Sequence, residues 1–128
     1  MTSKVTLALF AFFLAAASLS LGSKTSLAGA APKATPALLE KGKTAYTTNC
    51  ATCHGDKGDG NGVAGAYMTP KPRNFVADKF KKGDTAAAVF KTVSEGLPGT
   101  AMVAFGHLSE DDRWAITHYL LSFRKAKK

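Results

Sequence analysis

At 128 residues the chain has room for one domain, which excludes a multidomain enzyme. Seventeen Lys and Arg stand against nine Asp and Glu, for a net charge of +8, while charged residues are only 20% of the chain and are dispersed, so this is not a disordered polybasic tail. Its two cysteines, Cys50 and Cys53, are too few and too close together for the several-bridge framework of small secreted scaffolds; they ask for a chemical explanation.

Lys4 opens the chain with a positive charge, the run from Val5 to Leu21 carries none, and small residues follow at Ser26, Ala28 and Ala30. That order is the secretory signal pattern. We expect residues 1–28 to be a leader removed after Ala28 or Ala30. A retained anchor is the alternative, although the run falls just short of the ~20 residues needed to span a bilayer and includes Thr6, Ser18 and Ser20. Export implies a periplasmic protein, or one anchored facing the periplasm, in a compartment where free thiols tend to be oxidised. A linker, 29–35, leads to the expected domain, 36–128.

Three helical patches follow. Leu38, Gly42, Ala45 and Tyr46 share one helix face, with Thr35 and Pro36 as the start signal and an end near Asn49. Ala86, Val89, Phe90 and Val93 form a shorter patch after Asp84 and Thr85, either of which can cap it, and it stops at Gly96 and Pro98. The last is the best marked: Ser109 with Asp112 reads as a capping box, and Ile116, Tyr119, Leu120 and Phe123 make the stripe. Arg124, Lys125, Lys127 and Lys128 suit the negative helix end. No run alternates as a strand does, so the fold class is all-α.

The connections at 55–65, 70–74 and 96–106 are long for a compact domain, and three short helices supply few apolar contacts to hold them. A domain of about 100 residues buries only about 60–65% of its surface on folding. A large apolar ligand at the centre meets both needs.

Cys50-Ala51-Thr52-Cys53-His54 supplies the means to bind one. C-x-x-C-H is the spacing of covalent haem attachment: two thiols three residues apart reach two vinyl groups of one porphyrin, and the next residue offers an imidazole to the iron. A thiol-redox C-x-x-C wants a βαβ setting, which is missing, and a zinc site needs four ligands, for which His107 and His118 are the remaining histidines. With His54 as one axial ligand, the residues leave Met68, Met102 and His107 open for the other. Met102 is best placed, in a glycine-flanked loop between the second and third patches; Met68 follows the motif closely, and His107 lies just before the Ser109 cap. His118 falls off the apolar stripe and reads as a solvated helix residue. The Asp56 to Gly62 stretch lacks the acid at the twelfth position that an EF-hand requires.

Taken together, Gly42 and Tyr46 before the motif, the turn Gly58-Asp59-Gly60-Asn61-Gly62, Pro70-Lys71-Pro72-Arg73-Asn74-Phe75, Gly96-Leu97-Pro98-Gly99-Thr100-Ala101-Met102, and the helix around Trp114 to Tyr119 resemble the class I c-type cytochromes. The resemblance implies a small fold of three to four helices with long loops around one covalent haem c, Met102 as the second axial ligand, and Gly42 and Tyr46 packed against Ile116 and Tyr119. Relatives often carry a proline where Val63 stands, and its carbonyl commonly accepts the hydrogen bond of the ligand histidine. Here the acceptor is left open, with Val63 as one option.

Trp114 is expected in helix packing rather than on a haem propionate, and Arg73 either on a propionate or at the surface. Lys71, Arg73, Lys79, Lys81 and Lys82 suit docking with acidic redox partners, while nucleic acid is disfavoured by the compartment. The expected function is electron transfer by a monomer with no catalytic residues. A haem c subunit of a larger oxidoreductase is the main alternative, and a gas-binding sensor follows if Met102 does not ligate.

Overall fold

The computed structural model describes residues 30–125; the expected leader, 1–28, and Lys127 and Lys128 lie outside them. The chain forms α1 (Pro36–Asn49), α2 (Ala51–His54), a 3₁₀ turn (Gly65–Tyr67), α3 (Ala86–Glu95) and α4 (Glu110–Lys125), with no strand among the described residues. The fold is all-α. No helix among those residues is long and apolar enough to cross a membrane.

The three longer helices, α1, α3 and α4, each start where a side-chain oxygen meets an orphan amide. Thr35 Oγ1 accepts from the Leu38 amide at 3.1 Å ahead of Pro36, Thr85 Oγ1 from the Ala88 amide at 3.2 Å, and Ser109 Oγ from the Asp112 amide at 3.1 Å. The Ser109 hydroxyl in turn donates to the Asp112 carboxylate at 2.6 Å, closing the expected capping box side chain to side chain. Of the two residues considered as caps for α3, Thr85 serves. Asp84 instead accepts from the Phe80 amide at 2.9 Å and pairs with Arg124 at the far end of α4.

The frame is the pair α1 and α4, with α3 against α4 on the other side. At the crossing Gly42 is buried, and a Cβ added there would run into the Ala115 carbonyl and come within 2.9 Å of Tyr119 Cβ. The absent side chain lets the two backbones touch. Tyr46, one turn on, lies 5.3 Å from the Tyr119 ring and 5.5 Å from Phe123. Ile116 and Thr117 are fully buried, and Ile116 shares the core with Val89 and Val93 of α3; burying Ile116 contributes roughly 1.5–3 kcal/mol. Trp114 stacks on Phe90 at 4.0 Å, and Arg113 covers the same Phe90 ring while donating to Ser94. Trp114 is therefore a helix-packing residue, at the α3–α4 contact.

The long connections are pinned by backbone hydrogen bonds. The amides of Gly60, Gly62 and Ala64 donate to the carbonyls of His54, Cys53 and Thr52, and Phe75 N–H reaches Gly58 at 2.7 Å. The chain after α2 is thereby folded back over that helix.

Candidate haem site

Cys50 interrupts the first helix, with φ −123° and ψ −35°, and the chain resumes as the single turn α2. Its amide still donates to Tyr46 at 2.8 Å, and its carbonyl accepts from His54 at 2.9 Å. The turn carries Cys53 and His54 in continuation of α1. Both cysteines are free thiols, and both line one cavity of about 300 Å³ with His54, Met68 and Met102. Burial, with the neighbouring Cys53 adding to it, pushes the Cys50 thiol up to about 12. A thiol–disulfide exchange nucleophile needs the opposite shift, so Cys50 is poorly suited to that role.

His54 is buried against the 73–75 segment. Its Nδ1 lies 3.1 Å from the Arg73 carbonyl, and its ring stacks on Phe75 at 4.4 Å with 24° between planes. Burial lowers its pKa, with the Arg73 bond acting against that shift, so the neutral imidazole is favoured, as iron ligation requires. With Nδ1 turned to the carbonyl, Nε2 is the nitrogen left for a ligand. The acceptor that the sequence left open is thus Arg73, whereas Val63 is 80% exposed. A backbone acceptor has no side-chain signature; only the return of the 70–75 segment over α2 brings it into reach.

The opposite wall comes from the loop after α3. Gly96 ends that helix with φ 70°, and a Cβ there would meet the Met102 carbonyl at 2.7 Å. The Leu97 amide donates to that same carbonyl at 2.9 Å, Met102 N–H reaches Thr100 Oγ1 at 3.1 Å, and Phe105 N–H reaches Val93 at 3.0 Å. These bonds tie Met102 to the end of α3, on the cavity. A narrower recess behind it, about 50 Å³, is shared by His54, Met102, Val93 and Leu120.

Met68 lines the cavity as well. His107 does not line it; it is exposed, with its ring 5.9 Å from Phe105. His118 differs from expectation: it is half-buried beside Trp114, ring centres 6.2 Å apart, with Nε2 shielded and unpartnered. The aromatic one turn before it on α4 covers a position that the stripe alone places in water. Lys71, Arg73 and Lys81 are on the cavity rim, while Lys79 and Lys82 are exposed away from it. Arg73 Nη1 is 3.8 Å from Asp78. Phe75, Phe80 and Phe105, to which the sequence assigned no role, build the apolar surroundings.

Two thiols at helical spacing, a buried imidazole with one nitrogen engaged and a mostly apolar cavity lined by two methionines form a donor set that fits a covalently held haem. A family model described as cytochrome c matches residues 39–124. The chain belongs to the cytochrome c family. It is similar to the cbb3-type cytochrome c oxidase subunit FixP of Azorhizobium caulinodans, 38% identical over 96 residues that cover 74% of this chain and 30% of that protein. Thiosulfate dehydrogenase of Stutzerimonas stutzeri is 34% identical over 93 residues, 68% of this chain and 28% of that one. Cytochrome c-554(547) of Halothiobacillus neapolitanus is 33% identical over 92 residues, 65% of this chain and 93% of that cytochrome. Among solved structures, a chain of the Kuenenia stuttgartiensis reducing HAO-like protein complex superposes with a TM-score of 0.63 at 35% identity, covering 74% of this chain and 45% of that one. This cytochrome c domain spans under a third of the length of the first two relatives. Haem c, bound covalently, is the family's cofactor, and Cys50, Cys53 and His54 carry its C-x-x-C-H spacing.

Proposed function

We propose that this chain is an electron carrier that holds one haem c through Cys50 and Cys53, with His54 and Met102 as axial ligands, and passes single electrons between redox proteins. The observation that carries this reading is the shared cavity: both thiols, the His54 imidazole and Met102 line it together. Bound haem c supplies the one-electron iron couple, and a thioether ligand raises its potential. The protein's part is to hold its ligands still. His54 is fixed at its ring face and at Nδ1, and Met102 by its backbone bonds to the end of α3. With both axial positions taken, no site is left for a substrate, so the chain is not an enzyme by itself.

Lys71, Arg73 and Lys81 on the rim favour brief docking with acidic partner surfaces. The proposal includes a monomer, exported to the periplasm by the 1–28 leader. One observation favours a second reading, a haem c unit working within a larger oxidoreductase: the matched relatives include oxidase subunits and a dehydrogenase several times longer than the matched region.

Voltammetry on holoprotein made with covalent haem tests the ligand set. Met102→Ala is expected to lower the midpoint potential by on the order of 0.1 V, a fraction of the ~0.8 V that axial ligation spans, and to abolish the six-coordinate low-spin spectrum. Met68→Leu is expected to change neither. A Met102→Ala protein that keeps the wild-type potential and spectrum rejects the assignment.

A further inference from the structure

The residues around His54 do more than enclose it. Phe75 is 6% exposed and lies nearly parallel to the imidazole at 4.4 Å, while on its other contacts it stacks with Phe80 at 5.6 Å and Phe123 at 6.4 Å and meets Tyr46 edge-on at 6.5 Å. Its ring is therefore held on several sides and is not free to follow the histidine. The preceding residue, Asn74, organises the turn: its Oδ1 accepts from the amides of Val76 and Ala77, both at 2.9 Å, and its own amide donates to Asp78 Oδ2 at 3.3 Å. The Phe75 amide is tied to Gly58 at 2.7 Å. The Arg73 carbonyl, which meets His54 Nδ1, is bonded directly to the Asn74 nitrogen, so the orientation of that peptide depends on the same turn.

We propose that Phe75 and Asn74 are positioning residues that set the plane and the basicity of the His54 imidazole: Phe75 by stacking on its face, Asn74 by holding the 73–78 turn so that the Arg73 carbonyl stays on Nδ1. This rests on the reading of His54 as an axial ligand. The aromatic face is electron-rich and favours positive charge on the ring against it, and a carbonyl on Nδ1–H makes Nε2 a stronger donor. Both effects favour the oxidised state of the bound metal. Loosening either one raises the potential, and it also lets the ring turn, which redistributes spin over the macrocycle.

The test uses the holoprotein with covalent haem, reading the midpoint potential and the pattern of paramagnetically shifted haem methyl resonances in the ferric state. Phe75→Leu keeps an apolar side chain in the core, and Asn74→Ala changes no charge. Each is expected to stay low-spin, to raise the potential and to alter the order or spread of the methyl resonances. Asn74→Asp, which keeps the acceptor oxygen, is expected to retain the wild-type methyl pattern, and so is Phe90→Leu, altered at the α3–α4 contact. Low-spin Phe75→Leu and Asn74→Ala proteins with wild-type potential and methyl pattern overturn the proposal. Failure of the underlying reading shows separately: a wild-type ferric protein without histidine-ligated low-spin signals overturns both before any variant is made.

Discussion

Ser109 gives its oxygen to the Asp112 amide and its proton to the Asp112 carboxylate, so one hydroxyl satisfies a helix end and fixes a charge. Ser109→Ala is expected to cost about 1 kcal/mol, seen as a lower urea midpoint of the holoprotein. The same contact has a pH consequence. Hydrogen bonding from the Ser109 hydroxyl, and then from Lys41, holds Asp112 below the usual carboxylate range, and the Phe80 amide, with Arg124 beside it, does so for Asp84. Their folded pKa values lie below the unfolded ones, so the unfolded chain takes up more protons in that range. Stability is then fully present above the ordinary carboxylate value of about 4 and is lost as pH falls through the lower folded values. A thermal midpoint that drops below about pH 4 meets the expectation; one that rises there contradicts it. At this scale the chain was readable wherever a side chain announces its chemistry. Cys50, Cys53 and His54 stood out because covalent reach fixes their spacing. The Arg73 carbonyl did not, since its aim depends on a turn that folds back from distant sequence.

Helices were legible through their ends. Thr35, Thr85 and Ser109 each carry the oxygen that an orphan amide needs, and the oxygens are found there. The first patch ends at Asn49 as expected; what the pattern missed was the extra turn α2 that follows Cys50 and the diversion of Asp84 to Arg124, a partner far along the chain. The crossing of α1 and α4 is the contact on which the frame depends most directly. Gly42→Ala would gain the ~1 kcal/mol that Ala has over Gly inside a helix, yet its methyl meets the Ala115 carbonyl, and backbone cannot swing aside as a side chain can. Overpacking of this kind costs about 1–3 kcal/mol and forces the helices apart. The net expectation is a lower melting temperature for the holoprotein, and an unchanged or raised one would show that the crossing has slack.

The whole molecule is arranged around its cavity. Interiors are normally packed without voids larger than a water molecule, whereas here mostly apolar walls stand around an open space of about 300 Å³. Long loops and few apolar contacts pointed to a central ligand from sequence alone, although the walls supplied by Phe75, Phe80 and Phe105 did not, because aromatic residues in loops have no periodicity to mark them. A Cys50→Ser, Cys53→Ser chain, unable to attach haem, is expected to keep part of its far-ultraviolet helical signal and lose its near-ultraviolet tertiary signal. Native-like tertiary signal in that chain would mean that the fold does not depend on the group.

The central claim is that haem c is held here with both axial positions filled from the protein. Its most direct test is the absorption spectrum of the wild-type holoprotein, first oxidised, then reduced, then reduced under carbon monoxide. Covalent, low-spin haem whose reduced spectrum is unmoved by carbon monoxide is the predicted result. A reduced spectrum that shifts promptly on adding the gas would contradict it, leaving the iron open and the chain a ligand-binding protein instead of a carrier.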